Sequence, residues 1–303
     1  MKLLHNEDLS KYTTIRIGGT AKNFYIPENE YELLEIYKKY KNSYFLGGGS
    51  NILINNRVFD NVVYLKAFNP DVKFLEDGTF LVGGSVTNQQ LIRLVNAYGY
   101  GGVEFLYSVP GLVGGSIAMN AGQGGPSGKS ISDYLEEVTA IIDGEFKTLS
   151  NSQCGFEYRS SLFKGKQMIV CHAKFRFPKQ EKHVSEKLIK ERISRCKETQ
   201  DNSFPNFGSV FSVSNGRIMK FAKKFCIGGK IKFSKKTPNW ILKIDKHATY
   251  NDVIKTVKKV ERIHKLFRKK IKREGFFYPS LNIYFLQTPV LIAASFTAFA
   301  TDL

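Results

Sequence analysis

Glycine dominates two of the stretches that could do chemistry in this 303-residue chain. Residues 110–125 contain Pro110, Gly111, Gly114, Gly115, Gly122, Gly124 and Gly125, with Met119, Asn120 and Ala121 among them. One tight turn needs fewer glycines than this. Glycine admits positive φ and lets another group approach the main chain closely, so the stretch reads as a backbone cradle for a bound ligand. A second run, Gly47-Gly48-Gly49-Ser50-Asn51, follows Tyr44-Phe45-Leu46. It lacks the Gly-Lys-Ser/Thr ending of a triphosphate loop and the spaced glycines before a helix of a dinucleotide fingerprint. Consecutive amides in such a loop can still form an anion-binding concavity.

Three other positions carry reactive side chains in plainer settings. Ser209 lies in Pro205-Asn206-Phe207-Gly208-Ser209-Val210-Phe211, which has no Gly-x-Ser-x-Gly elbow and so excludes that class of hydrolase nucleophile. Arg159 stands in Tyr158-Arg159-Ser160-Ser161, by itself an ordinary surface turn. Glu274 is a single acid closing the basic run Lys272-Arg273. None of the three announces a reaction alone.

The elements that must position these residues alternate between short strands and helices. Residues 13–17 alternate like a strand and end in Gly18-Gly19. Asn29 is placed to cap a helix reaching Tyr40, with acids in its first turn and Lys38-Lys39 in its last, as the helix dipole favours. Strands are expected at 44–46 and 52–54 around the first glycine run, then at 73–75 and 79–82. A helix near 87–96 and strands near 138–142 and 168–175 follow. A basic helix spans about 182–199. A last helix is expected over 250–270, where Thr249 and Asp252 make a capping-box start and Val253, Val257, Val260 and Phe267 form a helical stripe. This organisation suggests segments 1–66, 67–178 and 179–275, followed by a tail, 276–303, that carries no charge before Asp302.

Composition narrows the class. At 42% hydrophobic and 13% aromatic residues the chain is a folded globular protein. Cys154, Cys171, Cys196 and Cys226 are scattered and do not cluster with the five histidines, so no metal site and no disulfide framework is indicated. No apolar leader is visible at the N-terminus, and reduced thiols in a cytoplasmic protein are the simplest expectation. The formal charge of +18 is uneven: residues 216–274 hold twenty Lys/Arg against four acids, a local +16 that leaves +2 elsewhere. Such a patch attracts phosphate, whether in a nucleotide, nucleic acid or anionic lipid, and a Lys-rich coding bias would produce the same excess. The tail, uncharged from 279 to 301, has the length to span a bilayer. Asn282, Gln287, Thr288 and Pro289 interrupt it, so membrane contact is the minor reading.

Taken in order, the motifs resemble the UDP-N-acetylenolpyruvoylglucosamine reductase (MurB) family. They are Thr13-Thr14-x-Arg16-Ile17-Gly18-Gly19, Leu46-Gly47-Gly48-Gly49-Ser50-Asn51-Ile52-Leu53, Glu104-Phe105 with Val109-Pro110-Gly111-x-Val113-Gly114-Gly115 and Met119-Asn120-Ala121-Gly122, Tyr158-Arg159-x-Ser161, Gly208-Ser209-Val210-Phe211, and Arg273-Glu274. The resemblance covers about residues 6–274. It implies an α+β protein with the vanillyl-alcohol-oxidase/PCMH-like FAD-binding fold in two subdomains and a C-terminal α+β substrate domain.

It further implies FAD as cofactor, NADPH as co-substrate and a UDP-sugar enolpyruvyl ether as acceptor, in peptidoglycan synthesis. The loop 47–51 would hold the FAD pyrophosphate, while Pro110, Gly111, Gly114, Gly115, Asn120, Ala121 and Gly122 would line the flavin. Flavin N5 would deliver hydride to C3 of the enolpyruvyl group. Ser209 would protonate C2, with Arg159 and Glu274 polarising the enol-like intermediate. Arg217, Lys220 and Lys236 are the candidate substrate contacts. A monomer with no obligate nucleic-acid partner is expected.

Only fifty positions separate Arg159 from Ser209, which resembles the short-loop subtype without a lid tyrosine. The chain departs from the family at Gln123-Gly124-Gly125, at Ser234-Lys235-Lys236-Thr237-Pro238 and at Lys243. Two other readings compete. A flavin oxidase of the same fold would often attach FAD through His or Cys, and neither glycine loop contains His. A flavoprotein of this descent with weakened or lost catalysis would use its basic third segment to bind nucleic acid or an anionic membrane.

Overall fold

The computed structural model describes residues 1–225 and 229–278. The expectations for the tail beyond 278 lie outside the described residues.

Four strands form the first sheet in the order Lys2–Asp8, Thr20–Ile26, Val58–Tyr64 and Tyr44–Leu46. The first pair is antiparallel and the other two are parallel. Side chains alternate between the two faces with period two, and here both faces are covered. Phe24 and Val62 pack into one cluster with Leu9, Leu46 and Phe59. Tyr25 and Val63 enter another with Leu33 and Ile36 of helix α1 (Glu30–Lys39). Asn29 caps α1 by accepting from the Glu32 amide at 2.9 Å, as its sequence predicts.

The second sheet is antiparallel throughout, in the order Glu145–Ser150, Leu135–Ile142, Ile169–Phe175, Phe80–Gly83 and Val72–Phe74. Helix α2 (Asn88–Ala97) is started by a Thr87–Gln90 capping box and buries Leu91, Ile92 and Val95. The short helix α3 (Val113–Ala118) buries Val113 and Ile117 in the same core, beside Phe80 and Phe175. Each such side chain contributes about 1.5–3 kcal/mol of burial. Ile141, Ile169 and Cys171 belong to the α1 cluster, so the two sheets share one apolar seam.

Helix α4 (Lys182–Thr199) leads to the third sheet, ordered Asn206–Ser209, Trp240–Lys243 and Ile231–Phe233. Helices α5 (Gly216–Phe225) and α6 (Tyr250–Leu266) complete this part. Val253, Val257 and Val260 of α6 are fully buried, and the Thr249–Asp252 capping box is present. The helix stops at Leu266, short of the expected 270, because Arg268 turns to φ +52° and the Lys269 amide bonds back to the His264 carbonyl. A left-handed residue just past the last turn is a common helix stop.

Residues 13–17 are a correction. They form a tight loop in which the Arg16 amide donates to the Thr13 carbonyl and Thr13 Oγ1 bonds both the carbonyl and the amide of Ile17. Arg16 has φ +54°, in the left-handed region and far from the extended φ of regular strand. The alternation that suggested a strand has another cause: Ile15 and Ile17 plug the third segment's core beside Phe207 and Val210.

Candidate functional site

A cleft of about 1600 Å³ opens among the three sheets. Gly47, Gly48, Gly49, Ser50, Asn51, Pro110, Gly111, Gly114, Gly115, Ala121 and Gly122 all line it, as do Arg159, Ser209 and Glu274. Part of the wall is apolar. Tyr37 and Phe45 stack with ring centroids 5.8 Å apart, beside Leu65 and Phe68.

The two glycine loops touch each other. Ser50 Oγ donates to the Pro110 carbonyl at 2.7 Å, and a Cβ on Gly48 would lie 2.9 Å from Gly111 Cα. Gly49 has φ +65°, and a Cβ there would strike the Tyr12 carbonyl oxygen at 1.8 Å. These glycines let two backbones pack side by side. Gly115 is different: nothing lies within 4 Å of the Cβ it lacks. No protein atom needs that space, and it faces the cleft.

Asn120 is not a lining residue. At φ +43° it sits just behind the wall, where Nδ2 donates to the Glu157 carbonyl and its own carbonyl accepts from Arg159 Nη1 at 3.1 Å. Arg159 also donates from Nη2 to the Gly122 carbonyl at 2.5 Å, and its Nε lies 3.4 Å from Glu274 Oε1. Its backbone is left-handed at φ +56°, a strained setting for a residue with a Cβ. Lys164 Nζ braces that turn by donating to the Arg159 carbonyl. One guanidinium therefore ties the glycine-rich wall to a carboxylate from the far end of the chain.

Glu274 arrives by two backbone contacts. Arg273 pairs with Phe211, and the Glu274 amide donates to the Val210 carbonyl at 2.8 Å, one residue from Ser209. Immediately afterwards Phe276–Tyr278 runs parallel to Ile52–Ile54, the strand leaving the first glycine loop. Burial pushes the Glu274 carboxyl above the ordinary carboxylate range, against the opposing pull of Arg159 and Lys164. The Ser209 hydroxyl has no hydrogen-bond partner among the described residues, so it is free to serve a ligand.

Comparison with known proteins decides the family. Residues 21–150 match the FAD binding domain family. The chain is 33% identical over 276 residues to the UDP-N-acetylenolpyruvoylglucosamine reductase of Carboxydothermus hydrogenoformans, covering 86% of this chain and 88% of that one. It is 30% identical to the enzyme of the same name from Thermotoga sp., with 88% of each chain covered. The crystal structure of that reductase (MurB) from Thermus caldophilus superposes with a TM-score of 0.73 at 23% identity, over 92% of this chain and 98% of that one. The chain belongs to the UDP-N-acetylenolpyruvoylglucosamine reductase family.

Its fold is the expected α+β FAD-binding type, and FAD is the cofactor. The geometry fits that group independently. The unfilled space at Gly115, the apolar wall around Tyr37 and Phe45 and the amide-rich loop 47–51 suit a flat ring system joined to phosphates.

In this reductase-family chain several supporting residues escaped the motif reading. The Asn239 side chain clamps Phe211 from both sides, Nδ2 to carbonyl at 2.7 Å and Oδ1 to amide at 3.0 Å, and so fixes the strand after Ser209. Trp240 pairs with Ser209 and lines the cleft. An Asn-Trp pair beside a strand was the visible signal. Lys41, Lys166 and Arg192 are cleft-lining bases with no motif around them.

Conversely, Arg217, Lys220 and Lys236, expected to contact substrate, do not line the cleft. Lys236 Nζ is instead spent on the Lys197 carbonyl at the end of α4. Lys243 ties the Arg16 carbonyl at 2.6 Å, joining the third sheet to the N-terminal loop. Glu104, which opens the glycine-rich stretch, is a buried bracket that accepts from Asn96, Gln180, Ser185 and the Gly102 amide. Gln123-Gly124-Gly125, odd for the family, builds a small hairpin: Gln123 pairs with Lys129, and Gly124 and Gly125 turn at φ +96° and +77°.

Proposed function

We propose that this protein reduces the enolpyruvyl double bond of UDP-N-acetylenolpyruvoylglucosamine to give UDP-N-acetylmuramate, with NADPH as electron source. The observation that carries this reading is convergence. Ser209, Arg159 and Glu274, far apart in sequence, meet on the wall of one FAD-sized cleft. FAD, held by loop 47–51 and the wall of Gly111, Gly114, Gly115 and Gly122, would supply the hydride chemistry that couples NADPH oxidation to reduction at C3 of the enolpyruvyl group.

The chain's own residues handle charge and protons. As C3 is reduced, negative charge develops at C2 and spreads into the neighbouring carboxylate. Arg159, held by two carbonyls and Glu274, stabilises that charge without having to reorganise. Ser209 supplies the proton to C2; its hydroxyl is a weak acid in water and acts here because the carbanion is strongly basic. Glu274, buried beside Arg159, joins it in polarising the enol-like intermediate. On this reading residues 1–178 hold FAD and 179–275 present substrate. The short Arg159–Ser209 interval belongs to the subtype without a lid tyrosine.

The test is direct. Purified protein should show flavin absorbance and, without oxygen, oxidise more than one NADPH per flavin only when the enolpyruvyl sugar is supplied. Flavin-containing protein that leaves the enolpyruvyl sugar unreduced would overturn the proposal.

A further inference from the structure

Among the described residues two buried side-chain polar atoms have no hydrogen-bond partner, Ser43 Oγ and Arg192 Nε. Only Arg192 lines the cleft. A buried donor left unpaired is costly to the fold, so such a group calls for an explanation. Five cations line the cleft (Arg16, Lys41, Arg159, Lys166 and Arg192) against two acids, Asp143 and Glu274. Arg159 is already committed to Glu274 and two carbonyls. Arg192 makes no ion pair among the described residues. It projects from α4, and the end of that helix with the segment that follows adds Thr199, Gln200, Asn202 and Ser203 to the same wall.

From this we infer that Arg192 is a phosphate anchor for the nucleotide ligands that enter and leave the cleft. A guanidinium presents a rigid fork of donors matched to phosphate oxygens, and the side-chain amides of Gln200 and Asn202 can serve the remaining acceptors. The loop 47–51 offers backbone amides instead, suited to a phosphate that stays. The phosphate recognised by Arg192 is either the diphosphate of the UDP-sugar or the 2′-phosphate of NADPH. This inference rests on the reductase reading above.

The experiment uses the oxidised flavoprotein and its Arg192→Ala and Arg192→Lys variants, each required to keep the wild-type flavin spectrum and melting temperature. UDP and uridine are titrated by their effect on flavin absorbance, and flavin reduction is timed with NADPH and with NADH. If the diphosphate is the ligand, Arg192→Ala weakens UDP about ten- to hundredfold and leaves uridine unchanged. If the 2′-phosphate is the ligand, the preference for NADPH over NADH falls by the same factor. Arg192→Lys should lie between wild type and Arg192→Ala in either case, because charge remains and the fork is lost. Unchanged UDP/uridine and NADPH/NADH ratios, or a loss confined to FAD affinity of the apoprotein, would overturn the anchor while leaving the reductase reading intact. A wild-type flavoprotein that responds to neither UDP nor NADPH would overturn both.

Discussion

Ser209 and Glu274 make separable contributions in this account. Ser209→Ala should leave flavin reduction by NADPH near the wild-type rate and slow reoxidation by the enolpyruvyl sugar about 10²–10⁴-fold; rapid-mixing absorbance of each half-reaction would show it. Glu274 gives a pH signature. Its folded pKa lies above the unfolded value because of burial. Its contribution to stability is therefore full below the unfolded pKa and is lost as pH rises through the folded one. Wild type should lose stability relative to Glu274→Gln as pH rises over that window, which thermal melts of the two proteins at several pH values would detect. Little of this was legible at single positions. Ser209 and Glu274 became readable only within the ordered motif set. Arg192 was hidden among the other bases of α4, because whether a guanidinium faces solvent or a cleft depends on partners distant in sequence.

Elements were easier to read where the signal was local. The caps of α1, α2 and α6 rest on side chains three residues from their amide partners, so sequence spacing reveals them. Residues 13–17 misled because Ile15 and Ile17 are buried by the third segment rather than by a neighbouring strand. The glycine loops were legible as cradles, but not which glycine does what. Gly49→Ala must fit a Cβ against the Tyr12 carbonyl at positive φ. It should destabilise the protein by at least about 2 kcal/mol in a urea melt. Gly115→Leu meets no protein atom at its Cβ. The apoprotein should melt no lower than wild type, since leucine favours helix over glycine by up to about 1 kcal/mol, while FAD titration should show lost affinity. Opposite outcomes for two glycines of one cleft would separate packing from ligand space.

At the scale of the whole molecule, the site is assembled by crossings between segments. Lys243 reaches the Arg16 carbonyl, Ile15 and Ile17 complete the third core, and Phe276–Tyr278 pairs with Ile52–Ile54. The last of these crossings sets where Glu274 enters the cleft. A chain stopped after Gly275 should still bind FAD yet lose reaction with the enolpyruvyl sugar to about the extent of Glu274→Gln, measured as NADPH consumption. The sequence located the +16 concentration but not its direction. None of the Lys/Arg between 216 and 274 lines the cleft, and Lys255, Lys258 and Arg262 stand exposed on α6. Charge counting cannot see which way a helix faces. The central claim, that one cleft carries electrons from NADPH to the enolpyruvyl sugar, is tested most directly by anaerobic stopped-flow in two steps. NADPH should bleach the bound flavin, and subsequent enolpyruvyl sugar should restore its absorbance with one UDP-N-acetylmuramate formed per flavin. Flavin that bleaches but stays reduced after the sugar is added would contradict the account.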